Sequence, residues 1–165
     1  MIIRKIEIED SEKYLKLKYM LDTEAEFLLI QEGERKETVK EVSEYISKIR
    51  NSENKEIFIA DVDGEIAGYL SIIGGDYKRN KHSGYIVIAI LEKYTGMGIG
   101  KGLFEKMEEW AEKVKLHRLE LGVIDKNTRA KKLYLKKGFE IEGVKKDMYL
   151  IDGEYSDEIM MSKIL

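Results

Sequence analysis

Apolar positions recur along this chain with two periods, and each change of period marks an element boundary. Ile2 to Ile8 alternates weakly and predicts an edge strand. After Asp10-Ser11 the spacing lengthens, with Tyr14, Leu17 and Leu21 at helical intervals. Gln31-Glu32-Gly33-Glu34 interrupts that stripe. A second helix is expected from about Glu37 to Ile49, with Val42, Tyr45, Ile46 and Ile49 on one face. Two strands follow, Ile57 to Val62 and Glu65 to Ile73. Asp63-Gly64 between them favours the positive backbone angles of a tight hairpin turn. Gly84 to Leu91 is almost unbroken apolar sequence, as expected of a buried central strand. An amphipathic helix from about Gly98 to Val114, a strand from Leu119 to Ile124 and a helix from Asn127 to Lys137 come next. From Gly138 onward the pattern predicts two strands joined at Asp152-Gly153. The order β-α-α-β-β-β-α-β-α-β-β predicts a mixed α/β sheet with helices on its faces.

The junction between the apolar strand and its helix reads Tyr94-Thr95-Gly96-Met97-Gly98-Ile99-Gly100-Lys101-Gly102. Glycine lets backbone approach a ligand closely and take positive φ. The helix that follows offers free N–H groups and a positive dipole end. Together these make a cradle for a diphosphate. A dinucleotide fingerprint fails, because its third glycine falls on Lys101 or Leu103. A P-loop fails as well, because Gly102 follows Lys101 and Thr95 stands five residues before Gly100. A flexible strand-to-helix turn is the alternative reading of the same residues.

A second pattern is Asn127-Thr128-Arg129-Ala130-Lys131-Lys132-Leu133-Tyr134-Leu135-Lys136-Lys137-Gly138-Phe139. Asn127 suits a helix N-cap, and Gly138 suits the position just past the helix end. Ala130 and Tyr134 fall on one stripe below Asn127. The small residue at 130 leaves room for something to lie along that face. Taken alone, Tyr134 reads more readily as a packed amphipathic side chain than as an acid.

Both patterns resemble the signatures of the GCN5-related N-acetyltransferase (GNAT) family. The family carries [QR]-x-x-G-x-[GA] at the first turn. Thr95 to Gly100 matches both glycines, with Thr95 where Arg or Gln is usual. The second pattern resembles the family's other signature residue for residue, and Glu140 to Val144 with Asp152 to Glu158 looks most like its RimJ/RimL-like branch. The resemblance implies a mixed, largely antiparallel, twisted central sheet flanked by about four helices. It implies acetyl-CoA as co-substrate and no metal. Thr95, Gly96, Met97, Gly98, Ile99, Gly100 and Lys101 would hold its diphosphate. The main chain of Ile88, Ala89 and Ile90 would pair with the pantetheine arm, and Asn127 and Ala130 would line the same path. Tyr134 would protonate the departing thiolate. The acceptor would be a small-molecule amine or a protein N-terminal amine. A homodimer is expected from family habit and the apolar segment Ile159-Met160-Met161.

Composition narrows the chemistry. The 165 residues fit one domain, residues 1–165, and are 43% hydrophobic and 37% charged. A net charge of −3 gives no reason to expect nucleic-acid or membrane-surface binding. There is no cysteine to carry a covalent acyl intermediate, so direct attack in a ternary complex is favoured. The charged start, Met1-Ile2-Ile3-Arg4-Lys5, is unlike a signal peptide, and a cytoplasmic location is expected. The general base is not readable. Glu26, Glu32 and Glu120 are candidates through water. His82 and His117 sit in Lys/Arg-rich loops and read as surface residues that make a poor zinc site. Trp110 reads as core. Acceptor specificity is expected in Tyr19 to Lys40 and Gly74 to Lys81. A catalytically silent acyl-CoA-binding module is the competing reading, and another phosphate-ligand enzyme is disfavoured by the glycine spacing.

Overall fold

In the computed structural model, which describes residues 1–165, the chain runs β1 (Ile2–Lys5), α1 (Ser11–Glu24), α2 (Val39–Arg50), β2 (Lys55–Val62), β3 (Glu65–Gly74) and β4 (Ser83–Ile90). It continues through α3 (Ile99–Lys113), β5 (Arg118–Ile124), α4 (Thr128–Lys136), β6 (Glu140–Ile151) and β7 (Glu154–Ile164). The strands form one seven-stranded sheet in the order β1-β2-β3-β4-β5-β7-β6. Every neighbouring pair is antiparallel except β4 with β5. The predicted mixed, largely antiparallel sheet with four helices is therefore observed.

Strand alternation builds two cores, one on each face of the sheet. Ile57 and Ile59 of β2 pack with Tyr14 and Leu17 of α1 and with Val42 and Ile46 of α2. Phe58 and Ala60, one residue out of phase, pack on the other face with Leu103, Phe104 and Met107 of α3 and Tyr134 of α4. Burying a side chain such as Phe104 contributes roughly 1.5–3 kcal/mol. Trp110 joins this second core as expected, edge-on to Phe58. Both hairpins form at their Asp-Gly pairs, with φ of 52° and 87° at Asp63 and Gly64 and 50° and 81° at Asp152 and Gly153. Thr38 and Glu41 close α2 with a reciprocal capping box.

Three expectations change. The first strand stops at Lys5 rather than Ile8. Asp10 accepts the Glu7 N–H at 2.8 Å and both Arg4 guanidinium nitrogens, which curls Ile8–Asp10 into a 3-10 turn. The β4 strand is not buried on both sides, since Tyr85 and Val87 are exposed. The Ile159-Met160-Met161 segment is not an outer surface. It lies in β7, between β5 and β6, and Met161 is in the core. The free edge on that side of the sheet is β6.

Candidate active site

β4 and β5 pair only at Ser83↔Arg118, Gly84↔Leu119 and Tyr85↔Glu120. Beyond Tyr85, β4 stays with β3 as far as Ile90, and the Leu91 N–H then bonds to the Ala67 carbonyl. Meanwhile β5 stays with β7, and the Asp125 N–H bonds to the Asp157 carbonyl. A wedge opens between the two strands, walled on one side by β4 main chain with no second partner. Ala89 turns its side chain into the α1/α2 core, while Ile88 and Ile90 lean on the α3/α4 core. What these three residues offer the wedge is backbone.

The glycine turn stands at the open end of β4. Gly96 and Gly98 hold φ of 83° and 80°, and no atom lies within 4 Å of where their Cβ would be. They serve the left-handed backbone and leave open space above it. Gly98 is the N-cap of α3. After the Thr95 N–H, the next to reach a backbone carbonyl is that of Gly102, which bonds to Gly98. The N–H groups of Gly96, Met97, Gly98, Ile99, Gly100 and Lys101 are therefore free donors at a helix N-terminus. Gly100 and Gly102 have a different purpose. A Cβ on Gly100 would press on Leu133 at 3.2 Å, and one on Gly102 would overlap Ile3. Ile99 is buried and anchors the turn, whereas Met97 is exposed. Thr95 spends its hydroxyl on the Glu92 carbonyl, at 2.7 Å. Lys101 is exposed and 3.7 Å from Glu105. Glu24, at the end of α1, accepts the Glu92 N–H at 2.6 Å and ties that helix to the turn.

α4 forms as its sequence demands. Asn127 caps it by accepting the Ala130 N–H at 3.0 Å. At the other end Gly138 takes φ of 83°. The Phe139 N–H bonds to the Tyr134 carbonyl and the Gly138 N–H to that of Leu135. This is a Schellman motif, and its hydrophobic contact is Phe139 on Tyr134, ring centroids 6.2 Å apart. Tyr134 also packs edge-on against Phe104. Burial pushes its phenol up to about 12, and nearby Tyr85 adds to the shift. At neutral pH Tyr134 is a buried, protonated phenol. Arg129, Lys132 and Lys136 line a groove along α4 that reaches Leu133, the residue beside Gly100.

The model of the acetyltransferase (GNAT) family matches residues 17–139, a span that contains both the wedge and the turn. The chain belongs to the GNAT family. A GNAT acetyltransferase from Streptococcus pneumoniae has the same fold, with a TM-score of 0.96, 30% identity and 99% of each chain covered. The L-amino acid N-acetyltransferase AaaT of Escherichia coli is 33% identical over 107 residues, which are 64% of this chain and 66% of that protein, just under two thirds of its length. The spermidine N(1)-acetyltransferase of Escherichia coli is 26% identical over 160 residues, 96% of this chain and 83% of that protein. Family membership makes the chain an acyl-CoA-dependent N-acetyltransferase.

On the other face of this GNAT sheet, the glutamates expected as bases fare unequally. Glu26 and Glu32 are exposed on the α1–α2 connection. Glu120 is half-buried, but Arg118 holds it at 3.1 Å. His82 and His117 are exposed, with ring centroids 6.3 Å apart. No three His, Asp or Glu side chains gather as metal ligands. Two features escaped the sequence reading. Arg35 reaches back from the connection to grip buried Asp22 through two bonds, at 2.6 and 2.8 Å, and Glu37 through a third. Lys18 also pairs with Glu37. The second is Glu158, a buried carboxylate beside the wedge. Its sequence signal was Gly122, an isolated glycine inside a strand.

Proposed function

We propose that this enzyme transfers the acetyl group of acetyl-CoA to a primary amine by direct attack within a ternary complex. The wedge carries the reading. What supports it is β4 backbone left without a β5 partner beyond Tyr85, the free N–H groups of the glycine turn, and a protonated Tyr134 phenol close enough to Tyr85 to feel its charge. Gly96 to Lys101 suit the diphosphate, since open space lies over Gly96 and Gly98 and six donors converge at a helix N-terminus. Arg129, Lys132 and Lys136 extend positive charge from there toward the remaining phosphate of CoA. Ile88 to Ile90 offer main chain to the pantetheine amides, and Asn127 and Ala130 border the same path. Acetyl-CoA, when bound, would supply the thioester. Tyr134 supplies a proton to the departing sulfur. The acceptor is a small-molecule or N-terminal primary amine, a reading supported by the amino-acid and spermidine acetyltransferases among the relatives.

A panel of spermidine, L-amino acids and an alanine-led peptide, each with acetyl-CoA and detection of free thiol, tests this. Amine-dependent thiol release is expected for at least one class. CoA binding without turnover of any amine would overturn the reading in favour of a silent binding module.

A further inference from the structure

Resting on that reading, we propose that Glu158 is the base that takes the proton of the acceptor ammonium, from the face of the sheet opposite Tyr134. The faces follow from register. Tyr85 pairs with Glu120, and Ile124 with Glu158. With a period of two along each strand, Tyr85, Glu120, Gly122 and Glu158 share one face. Leu121 and Val123 point the other way, into the core that holds Tyr134. An amine entering the wedge between these faces meets a carboxylate on one side and the phenol on the other.

The surroundings of Glu158 are built around its carboxylate. The residue is buried, at 5% exposure. A Cβ on Gly122 would overlap its carboxyl group, so the bare glycine is what lets the carboxylate lie at the edge of β5 where the wedge opens. Tyr149 donates its hydroxyl at 3.0 Å and Lys145 its ammonium at 2.7 Å, which fixes the group in place. Two residues before it on the same face, Ser156 is 2% exposed and its hydroxyl has no partner. Lys145 is half exposed, and an ion pair with one end in solvent contributes little to stability. Folding alone therefore does not call for a carboxylate here, and the buried Ser156 hydroxyl on the same face adds a second polar group to its surroundings.

The proton balance closes. The ammonium gives one proton to Glu158, and the freed lone pair forms the C–N bond as the C–S bond breaks. Sulfur leaves with the proton of Tyr134. The nitrogen's second proton, released as the amide forms, restores the phenol, and Glu158 passes its own to solvent. The other titratable groups facing Glu158 are Lys145 and Tyr149 from β6, Tyr85 from β4 and Glu120 from β5.

The test is Glu158→Gln, assayed with the fastest amine of the panel between pH 6.5 and 10. At pH 7 the amine kcat/KM should fall ~10²–10⁴-fold. The deficit should shrink toward pH 10, because the neutral fraction of an alkyl amine of pKa about 10.4 rises from under one in a thousand at pH 7 to roughly a quarter at pH 10. In calorimetry without acetyl-CoA, the amine should bind the variant at least five-fold more weakly, while CoA affinity stays within two-fold. Glu158→Asp keeps the charge but withdraws it. If Glu158→Gln does not fold, this variant should lose about ten-fold in turnover with the pH dependence intact. Turnover within three-fold of wild type in the folded variant, a deficit equal at every pH, or unchanged amine affinity would each overturn the assignment while leaving the acetyltransferase reading in place. Absence of wild-type turnover with every amine would overturn both.

Discussion

Replacing Tyr134 with phenylalanine removes one oxygen and leaves the ring on Phe104 and Phe139, so chemistry and packing can be read apart. Burial dominates the state of the hydroxyl, and no hydrogen bond contributes to it. Deleting a desolvated, unpartnered hydroxyl should be neutral or stabilising by up to about 1 kcal/mol. That corresponds to a melting temperature unchanged or raised by roughly 2–4 °C for a chain of this size. The rate effect follows from acidity. The phenol sits at about 12, above the roughly 8.5 of an ordinary thiol. Complete transfer from it to thiolate is uphill, so Tyr134 helps by sharing its proton as the C–S bond stretches. The loss should fall at the low end of the general-acid range, ~10²-fold in both kcat and kcat/KM, or about 2.7 kcal/mol. Steady-state kinetics with a melting curve measure both quantities. A folded variant that keeps more than about half of wild-type kcat would refute the role and leave Tyr134 as packing.

Gly98→Ala meets no steric neighbour but must hold φ near 80°, at a cost of about 1–2 kcal/mol. Calorimetry should show weakened CoA binding, and undiminished affinity would separate the turn from the diphosphate. Lys132→Glu reverses one charge of the α4 groove and should weaken CoA binding while flattening its salt dependence; a salt response equal to wild type would remove the groove from the site. Arg35→Met strands buried Asp22 and should cost about 3–5 kcal/mol in urea unfolding, a figure that a loss under 1 kcal/mol would contradict. Tyr69 and Tyr134 are pushed up to about 12, and burial raises Tyr14 too. Their folded values lie above the ordinary 10, so their contribution is whole below pH 10 and drains away between pH 10 and 12. The urea midpoint should hold to pH 9.5 and drop by pH 11; a flat profile to pH 11.5 would count against buried, unionised tyrosines.

Local chemistry was legible in the sequence, and competition between distant segments was not. Both Asp-Gly hairpins and both ends of α4 were readable because Asp63, Asn127 and Gly138 act on backbone within a few residues of themselves. The parting of β4 from β5 was not, because it depends on which partner each strand keeps. The apolar run at Gly84 to Leu91 suits a strand buried on both faces, yet Tyr85 and Val87 are exposed, Tyr85 at the last β4–β5 pair and Val87 beyond it. The four glycines of the turn look equivalent in sequence. Only packing divides them, Gly96 and Gly98 serving the backbone and Gly100 and Gly102 making way for Leu133 and Ile3. Nothing in Ser156-Asp157-Glu158 distinguishes Glu158. Its complement, Gly122, lies in another strand, and the pair becomes visible only when β5 and β7 are in register.

The location of the site follows from topology more than from any one residue. β4-α3-β5 is the only parallel connection in the sheet, so the helix must cross a face and return the chain in the same direction. Its N-terminus therefore lies at the C-terminal end of β4, and its unsatisfied N–H groups arrive where β4 loses β5. α4 repeats the arrangement after β5 and delivers Tyr134 to the opposite wall. In open α/β sheets ligands settle at the carboxyl ends of parallel strands for this reason. Here the divergence after Tyr85 adds unpaired backbone to those helix termini. A substitution that extended β4–β5 pairing past Tyr85 would strengthen the sheet and close the wedge, so the missing hydrogen bonds are a stability cost borne at the place where substrate has to enter.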